Sequence, residues 1–356
     1  MTSTHETEYL LSPEAYHSSD WLEHEKVALF ERTWMFVGVE HDLQGQGQYV
    51  TDAVGNTPVL VVRGDDGEIR AFHNFCRHRG LELAEGAGSC PKGFVCQYHR
   101  WNYGTDGALR AVPQKQQYPE FDFSDHGLIP IRCETWNSMV FVNIGGQEES
   151  LVEWLGPFGE VFGRFDLSSL VEVNTMAHDI EANWKLYIEN HVDWLHLWYL
   201  HSESLGQYDH AKGDRAALGR HWVSWEPLTD VARAERSANE GHAIDGLIDS
   251  DRRNGAHLIF PNFPVFANGD FVTLLRAVPT SAVTARIELR TFAPEGTDGD
   301  ELGVVLNRVM VEDYAAAQGI QRCVRSPAFR VGPLASDYEQ EIPRFQRMIL
   351  AHLDDD

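Results

Sequence analysis

The sequence predicts a two-part α+β protein, with an all-β segment followed by a segment that mixes long helices with one antiparallel sheet. Three observations carry this. Short β-like runs punctuated by turn residues fill the chain to about residue 146. A long apolar stretch, 183–201, then reads as a helix. Strand-like runs between 256 and 292 follow, and two helical patterns close the chain. At 356 residues the chain suits about two domains. The expected division is a helical lead-in over 1–37, a β domain over 38–150 and an α+β domain over 151–356.

Asp20-Trp21-Leu22-Glu23 has the form of a capping box, opening a helix to about Trp34. Gln48–Ala53, Pro58–Arg63 and Glu68–His73 are strand-like, with Gly64-Asp65-Asp66-Gly67 as the turn before the third. Met139–Ile144 continues the pattern, and Leu151–Phe165 reads as a helical connector. Val171–Glu181 alternates like a strand. Ala256–Phe260, Phe271–Val278 and Val283–Phe292 read as strands of one antiparallel sheet, and Asp300–Arg325 and Ser336–Leu353 as helices.

Composition narrows the function. Hydrophobic residues make up 43%, enough for a large core. The net charge of −25 argues against nucleic acid or anionic membrane surfaces as main partners, since both call for basic patches. Met1–Tyr9 is polar and lacks a leader pattern, and no apolar run is long enough to span a bilayer. Five Cys are too few for a disulfide framework, so a reducing cytoplasm is the expected compartment.

Two stretches carry chemistry. Cys76-Arg77-His78 and Cys96-Gln97-Tyr98-His99 form Cys-x-His, seventeen residues, then Cys-x-x-His. Two thiolates and two imidazoles can hold a [2Fe–2S] cluster, the Cys pair on one iron and the His pair on the other. A structural zinc site uses the same ligand types. Cys90, Cys133 and Cys323 read as small buried hydrophobes. The second stretch, Glu189–His201, sets Asp193, His196 and His201 within an apolar, aromatic segment. Two His and a carboxylate are the ligand set of a mononuclear non-haem iron(II); a helix with core histidines is the alternative. His196 and His201 are five apart, off one face of an ideal helix. Their convergence on one metal requires a distorted turn or a helix end.

Cys76-Arg77-His78-Arg79-Gly80 and Cys96-Gln97-Tyr98-His99-Arg100-Trp101, with Tyr103 and Asp106-Gly107 behind them, resemble the Rieske family, and in particular the terminal oxygenase component of Rieske non-haem iron oxygenases. Leu81 and Tyr98 stand where respiratory Rieske proteins carry a disulfide. Arg100 stands where the family mostly has Gly. Glu189-Asn190-x-x-Asp193-x-x-His196-x-x-x-x-His201, after Asn183-Trp184-Lys185-Leu186, is similar to the iron motif of the same family.

The resemblance implies a Rieske [2Fe–2S] domain, then a helix-grip catalytic domain. It makes Cys76, His78, Cys96 and His99 the cluster ligands, and His196 and His201 iron ligands. Asp193 becomes an electron-transfer bridge between His196 and the neighbouring subunit's counterpart of His99. The third ligand becomes Asp313, with Gln321 eight residues on and Glu312 as the runner-up; Gln318 departs from the Glu of many relatives. It also implies a homotrimer that takes electrons from NAD(P)H through a separate reductase and possibly a ferredoxin.

The expected activity is O₂-dependent hydroxylation, dihydroxylation or demethylation of a small organic substrate. An aromatic substrate is favoured because Asp193 stands where many quaternary-ammonium oxygenases have Glu. A betaine- or carnitine-like quaternary ammonium compound is the alternative. Trp194, Trp198, Tyr199, Phe263, Phe266 and Phe271 are candidate pocket aromatics, although most such residues are ordinary core. Readings from other classes are a Rieske electron carrier with a ligand-binding second half, and a zinc-stabilised binding module.

Overall fold

The computed structural model describes residues 8–120, 122–146, 149–238, 243–248 and 252–354. Residues 1–7, part of the stretch read above as lacking a leader pattern, lie outside them. The chain divides into two compact units. One is Glu25–Trp154; the other joins Leu155–Asp356 to the segment ending at His24. The 1–37 lead-in is therefore shared between the units. Its helix α1 spans Ser19–Glu25 and runs on as a π-turn, Lys26–Phe30. Ser18, not Asp20, caps it, with Oγ accepting from Trp21 N at 3.3 Å.

The first unit holds β1 (Met35–Val39), β2 (Gln48–Val54), β3 (Thr57–Arg63), β4 (Ile69–His73), β5 (Ala87–Ser89), β6 (Phe94–Val95), β7 (Asn102–Tyr103), β8 (Leu109–Ala111), β9 (Pro130–Trp136) and β10 (Met139–Asn143). They pair antiparallel, as a sheet β1-β10-β9-β4-β3-β2-β5 and a smaller sheet β6-β7-β8. Val59–Val62 in β3 and Met139–Val142 in β10 are buried throughout, which is why both read as continuous apolar runs.

The connector splits into α2 (Leu151–Leu155) and α3 (Pro157–Phe162). Gly156 at φ +51 and the missing N–H of Pro157 break it. The second unit then builds β11 (Val171–Ile180), α4 (Trp184–Val192), β12 (Asp214–Leu218), β13 (His221–Glu226), α5 (Asp230–Ala238), β14 (Asn254–Ile259), β15 (Phe263–Ala267), β16 (Val272–Ser281), β17 (Thr284–Ala293), α6 (Gly299–Val324) and α7 (Glu341–Asp354). Its antiparallel sheet runs β11-β17-β16-β15-β14-β13-β12. In β17, Ala285, Ile287 and Leu289 are buried while Arg286, Glu288 and Arg290 between them are not, the period-2 pattern of a one-sided sheet. Helix α4 packs against β16, α6 and α7.

The single helix expected over 183–201 ends at Val192. Asp193 leaves helical geometry (φ −72°, ψ 121°), its Oδ1 accepts from Leu195 N at 2.7 Å, and Trp194 N donates to Tyr338 O at 2.9 Å. These bonds take over backbone groups that a continuing helix would need. A short 3₁₀ turn, Leu195–Trp198, follows. The last helix begins at Glu341 instead of Ser336. Among the described residues no helix is long and apolar enough to cross a membrane.

Candidate metal centres

In the first unit, β4 leads into one Cys/His loop, and the β6–β7 hairpin carries the other. The two loops share one hydrogen-bond frame. Cys76 N donates to Leu81 O and Gly80 N to Cys76 O, both at 2.8 Å. Cys96 N donates to Trp101 O at 2.8 Å and Arg100 N to Cys96 O at 2.9 Å. Gly80 (φ +75) and Arg100 (φ +62) occupy equivalent left-handed positions. The frame therefore explains why Gly suits position 100 and shows that Arg100 tolerates the turn at a backbone cost.

Both thiols are buried within a cluster that includes Phe72, Phe94, Trp101 and Tyr103. His78 Nδ1 and His99 Nδ1 face each other at 3.1 Å. The His78 ring stacks on Trp101 at 4.8 Å, and His99 on Tyr98 at 3.8 Å. Tyr103 Oη lies 3.3 Å from Cys76 Sγ and accepts from Arg77 N at 2.9 Å. Asn74 ties the first loop down: its Nδ2 donates to Glu82 Oε1 and Ala84 O, and its Oδ1 accepts from Leu83 N and Ala84 N. Burial, opposed by the Tyr103 hydroxyl, lifts the Cys76 thiol above its ordinary pKa, and Cys96 adds to the rise. Two buried thiols beside two converging imidazoles suit a cationic iron–sulfur core, which supplies the positive charge a buried thiolate needs. Cys90 and Cys133 are half-buried, whereas Cys323 is exposed at the end of α6, against the expectation of a core thiol.

In the second unit, His196, His201 and Asp313 offer ligand atoms that all lie within 4.8 Å of one another. Asp313 comes from α6. His201 Nε2 is 2.9 Å and His196 Nε2 3.6 Å from its Oδ1, which also accepts from Asn190 Nδ2 at 2.7 Å. Each imidazole is held at its other nitrogen. His201 Nδ1 is 2.7 Å from Glu312 Oε2, and His196 Nδ1 is 2.7 Å from the backbone oxygen of Asp193. With both Nδ1–H groups donating outward, both Nε2 lone pairs point inward, as ligation requires. Burial works against charging His201, but Asp313 and Glu312 outweigh it and raise its pKa.

The structure redistributes the expected roles. The Asp193 carboxylate is 3.8 Å from His196 Nδ1, so its main chain, not its side chain, orients that ring. Burial pushes the Asp193 carboxyl up to about 7. Glu312 supports His201 from outside the triad. Gln321 clamps α6 to the start of α4: its Oε1 accepts from Asn183 N at 2.8 Å and its Nε2 donates to Tyr16 O at 3.0 Å. Glu189 lies in a separate buried network, accepting from Tyr9, Tyr16 and Gln346. Ser204 Oγ donates to Glu312 Oε2 at 2.5 Å and lies 3.3 Å from His201 Nδ1. Sequence reasoning passed over the supporting roles of Asn190, Ser204 and Glu312, although Asn190 stands inside the Glu189–His201 motif.

The triad opens on a cavity of about 130 Å³. Of the candidate aromatics, Trp194, Phe266 and Phe271 line it, joined by Trp222 and Tyr208. Phe263 is buried outside the lining, and Tyr199 is 76% exposed.

Residues 33–122 match the Rieske [2Fe-2S] domain, and residues 167–355 the ring hydroxylating alpha subunit catalytic domain. The chain is 29% identical to the glycine betaine monooxygenase oxygenase subunit of Chromohalobacter salexigens, over 87% of this chain and 78% of that one. It is 28% identical to the chloroplastic choline monooxygenase of Spinacia oleracea, over 96% and 79%. A crystal structure of a quaternary ammonium Rieske monooxygenase with L-carnitine shares the fold at a TM-score of 0.83 and 22% identity, covering 98% of this chain and 96% of that one. A [2Fe–2S] domain followed by an α+β iron domain is the make-up of a Rieske non-haem iron oxygenase. This chain belongs to the ring hydroxylating alpha subunit family of those enzymes. Its cofactors are a [2Fe–2S] cluster and a mononuclear iron, with electrons drawn from NAD(P)H through a separate reductase.

Proposed function

We propose that this protein is the oxygenase component of a monooxygenase acting on a small quaternary ammonium compound. The likeness to choline and glycine betaine monooxygenases favours this substrate class over the aromatic ring expected from Asp193. The observation that carries the reading is the convergence of His196, His201 and Asp313 at an aromatic-walled cavity. Aromatic faces attract methylated ammonium groups.

In this reading Cys76, His78, Cys96 and His99 hold the cluster, and His196, His201 and Asp313 hold the iron. When bound, the two groups supply single electrons and O₂ activation. The chain's own residues do the rest. Glu312 and the Asp193 carbonyl fix the imidazole tautomers, and Asn190 turns Asp313 inward. Trp222, Phe266 and Phe271 keep water from the substrate's methyl groups. The Asp193 carboxyl bridges to the neighbouring subunit's counterpart of His99 in a homotrimer, and its raised pKa lets it donate or accept a proton near neutrality.

The test is product analysis with a reductase, NAD(P)H, O₂ and a panel of choline, glycine betaine, carnitine and aromatic hydrocarbons. Turnover of a methylammonium substrate supports the reading; turnover of aromatics alone overturns it. His196→Ala should keep the visible cluster absorption and lose turnover, and the enzyme should carry about three irons per chain against about two for a pure electron carrier.

A further inference from the structure

Two acids that the triad does not use line its cavity, Asp193 beside the triad and Glu226 on the facing sheet. Glu226 closes β13, is only 3% exposed and lines the same cavity as His196, His201 and Asp313. Its Oε1 meets His210 Nδ1 in a short contact, and its Oε2 accepts from Asn254 Nδ2 at 3.4 Å. A carboxylate this buried is costly unless something answers its charge. Trp222 and Glu226 are four residues apart on β13 and share a face, so an aromatic wall and an acid look into the cavity together. Phe266 adds a second ring from β15.

The lining is equally informative for what it lacks. Among the described residues that line the cavity there is no Lys or Arg. The carboxylate of Asp313 faces His196 and His201, and that of Asp193 is engaged by Leu195 N at 2.7 Å, which leaves Glu226 as the acid on the sheet side available to a substrate. A cation gains from this wall through the acid and the rings. A ligand carboxylate meets like charge on this wall and finds neutral groups such as Gln207 and Asn254 where a Lys or Arg would be needed to hold it.

We propose that Glu226, positioned by His210, is the counter-charge that selects the substrate, and that the substrate is a methylated ammonium cation without a carboxylate, choline-like instead of betaine-like. This rests on the proposed quaternary-ammonium function and divides that class in two. Glu226 is here a binding residue, and His210 a positioning residue that acts through it.

Binding to the holoenzyme without reductase reads the inference directly. The ligands are choline, its neutral isostere 3,3-dimethylbutan-1-ol, and glycine betaine, followed by tryptophan fluorescence or calorimetry. Choline should bind at least about tenfold more tightly than either of the others. Glu226→Gln keeps an acceptor for His210, and it should remove most of choline's advantage over the neutral isostere while leaving the isostere's own affinity within about twofold. The comparison of ligands on the unaltered protein stands even if the variant fails to fold. Equal binding of choline and the isostere overturns the role of Glu226, as does a folded Glu226→Gln protein that keeps the preference. Tighter binding and turnover of glycine betaine overturns the carboxylate-free assignment while the quaternary-ammonium function stands. Turnover of aromatics with no binding of any of the three ligands overturns that function as well.

Discussion

Glu312→Ala removes the carboxylate that holds His201 Nδ1 at 2.7 Å and leaves Asp313 in place. Losing the partner that orients a ligating imidazole costs about 10–100-fold in metal affinity, or ~1.4–2.7 kcal/mol. Ser204 decides where in that range the loss falls. Its Oγ is 3.3 Å from the same Nδ1 and can take over as acceptor once Glu312 is gone. The single variant should therefore lose nearer tenfold, and Glu312→Ala with Ser204→Ala nearer a hundredfold, both by the same orienting effect of about one to two decades. The assay is anaerobic titration of iron(II) into protein chelated at the mononuclear site, with cluster absorption as the internal control. Asp313→Ala should abolish stoichiometric binding at that site. If Glu312→Ala abolished it while Asp313→Ala kept it, the ligand assignment would be reversed. Unchanged affinity in the double variant would refute the orienting role.

Burial lowers the pKa of His257 to about 3, and the neighbouring His191 adds to the effect. The unfolded chain takes up a proton there below about pH 6.5 while the folded chain does not, so folded stability falls as pH drops through that range. The stability gap between the unaltered protein and His257→Gln should narrow by about 2 kcal/mol from pH 7 to pH 5, read by urea unfolding; a constant gap would contradict the buried neutral imidazole. Gln321→Leu strands the Asn183 N–H and the Tyr16 carbonyl, and at about 1–3 kcal/mol for each buried orphan it should destabilise the second unit by roughly 2–6 kcal/mol. A loss below about 0.5 kcal/mol on chemical denaturation would show that the clamp contributes nothing.

The cluster loops were legible because all four proposed ligands sit in two short local patterns. The frame that repeats between them lies in backbone bonds with little side-chain signature, so the equivalence of Gly80 and Arg100 emerged only in three dimensions. Asp313 is more than a hundred residues from His201, and residue chemistry alone could not choose it over Glu312 or Asp193. The helix over 183–201 was overextended because apolar character continues past Val192. What ends it is partly tertiary, the bond from Trp194 N to Tyr338 O, together with the local capture of Leu195 N by Asp193. β13 and β15 were missed because their buried runs do not alternate. With β13 went Glu226, an acid in no motif. The substrate preference drawn from Asp193 gave way to the likeness to choline and glycine betaine oxygenases, which a single Asp/Glu difference does not outweigh.

The ending of α4 at Val192 gives the proposed iron site two mechanical halves. Asp313 sits in the middle of a 26-residue helix, braced by Asn190 and, further along, by Gln321. His196 and His201 sit on a short turn and the irregular chain after it, with few backbone bonds to share a load. A metal held by these residues would rest on a stiff half, the anvil, and a compliant half, the spring. Hydrogen exchange should then be slow around Asp313 and fast across 194–205, and any change on substrate binding should appear in the second stretch.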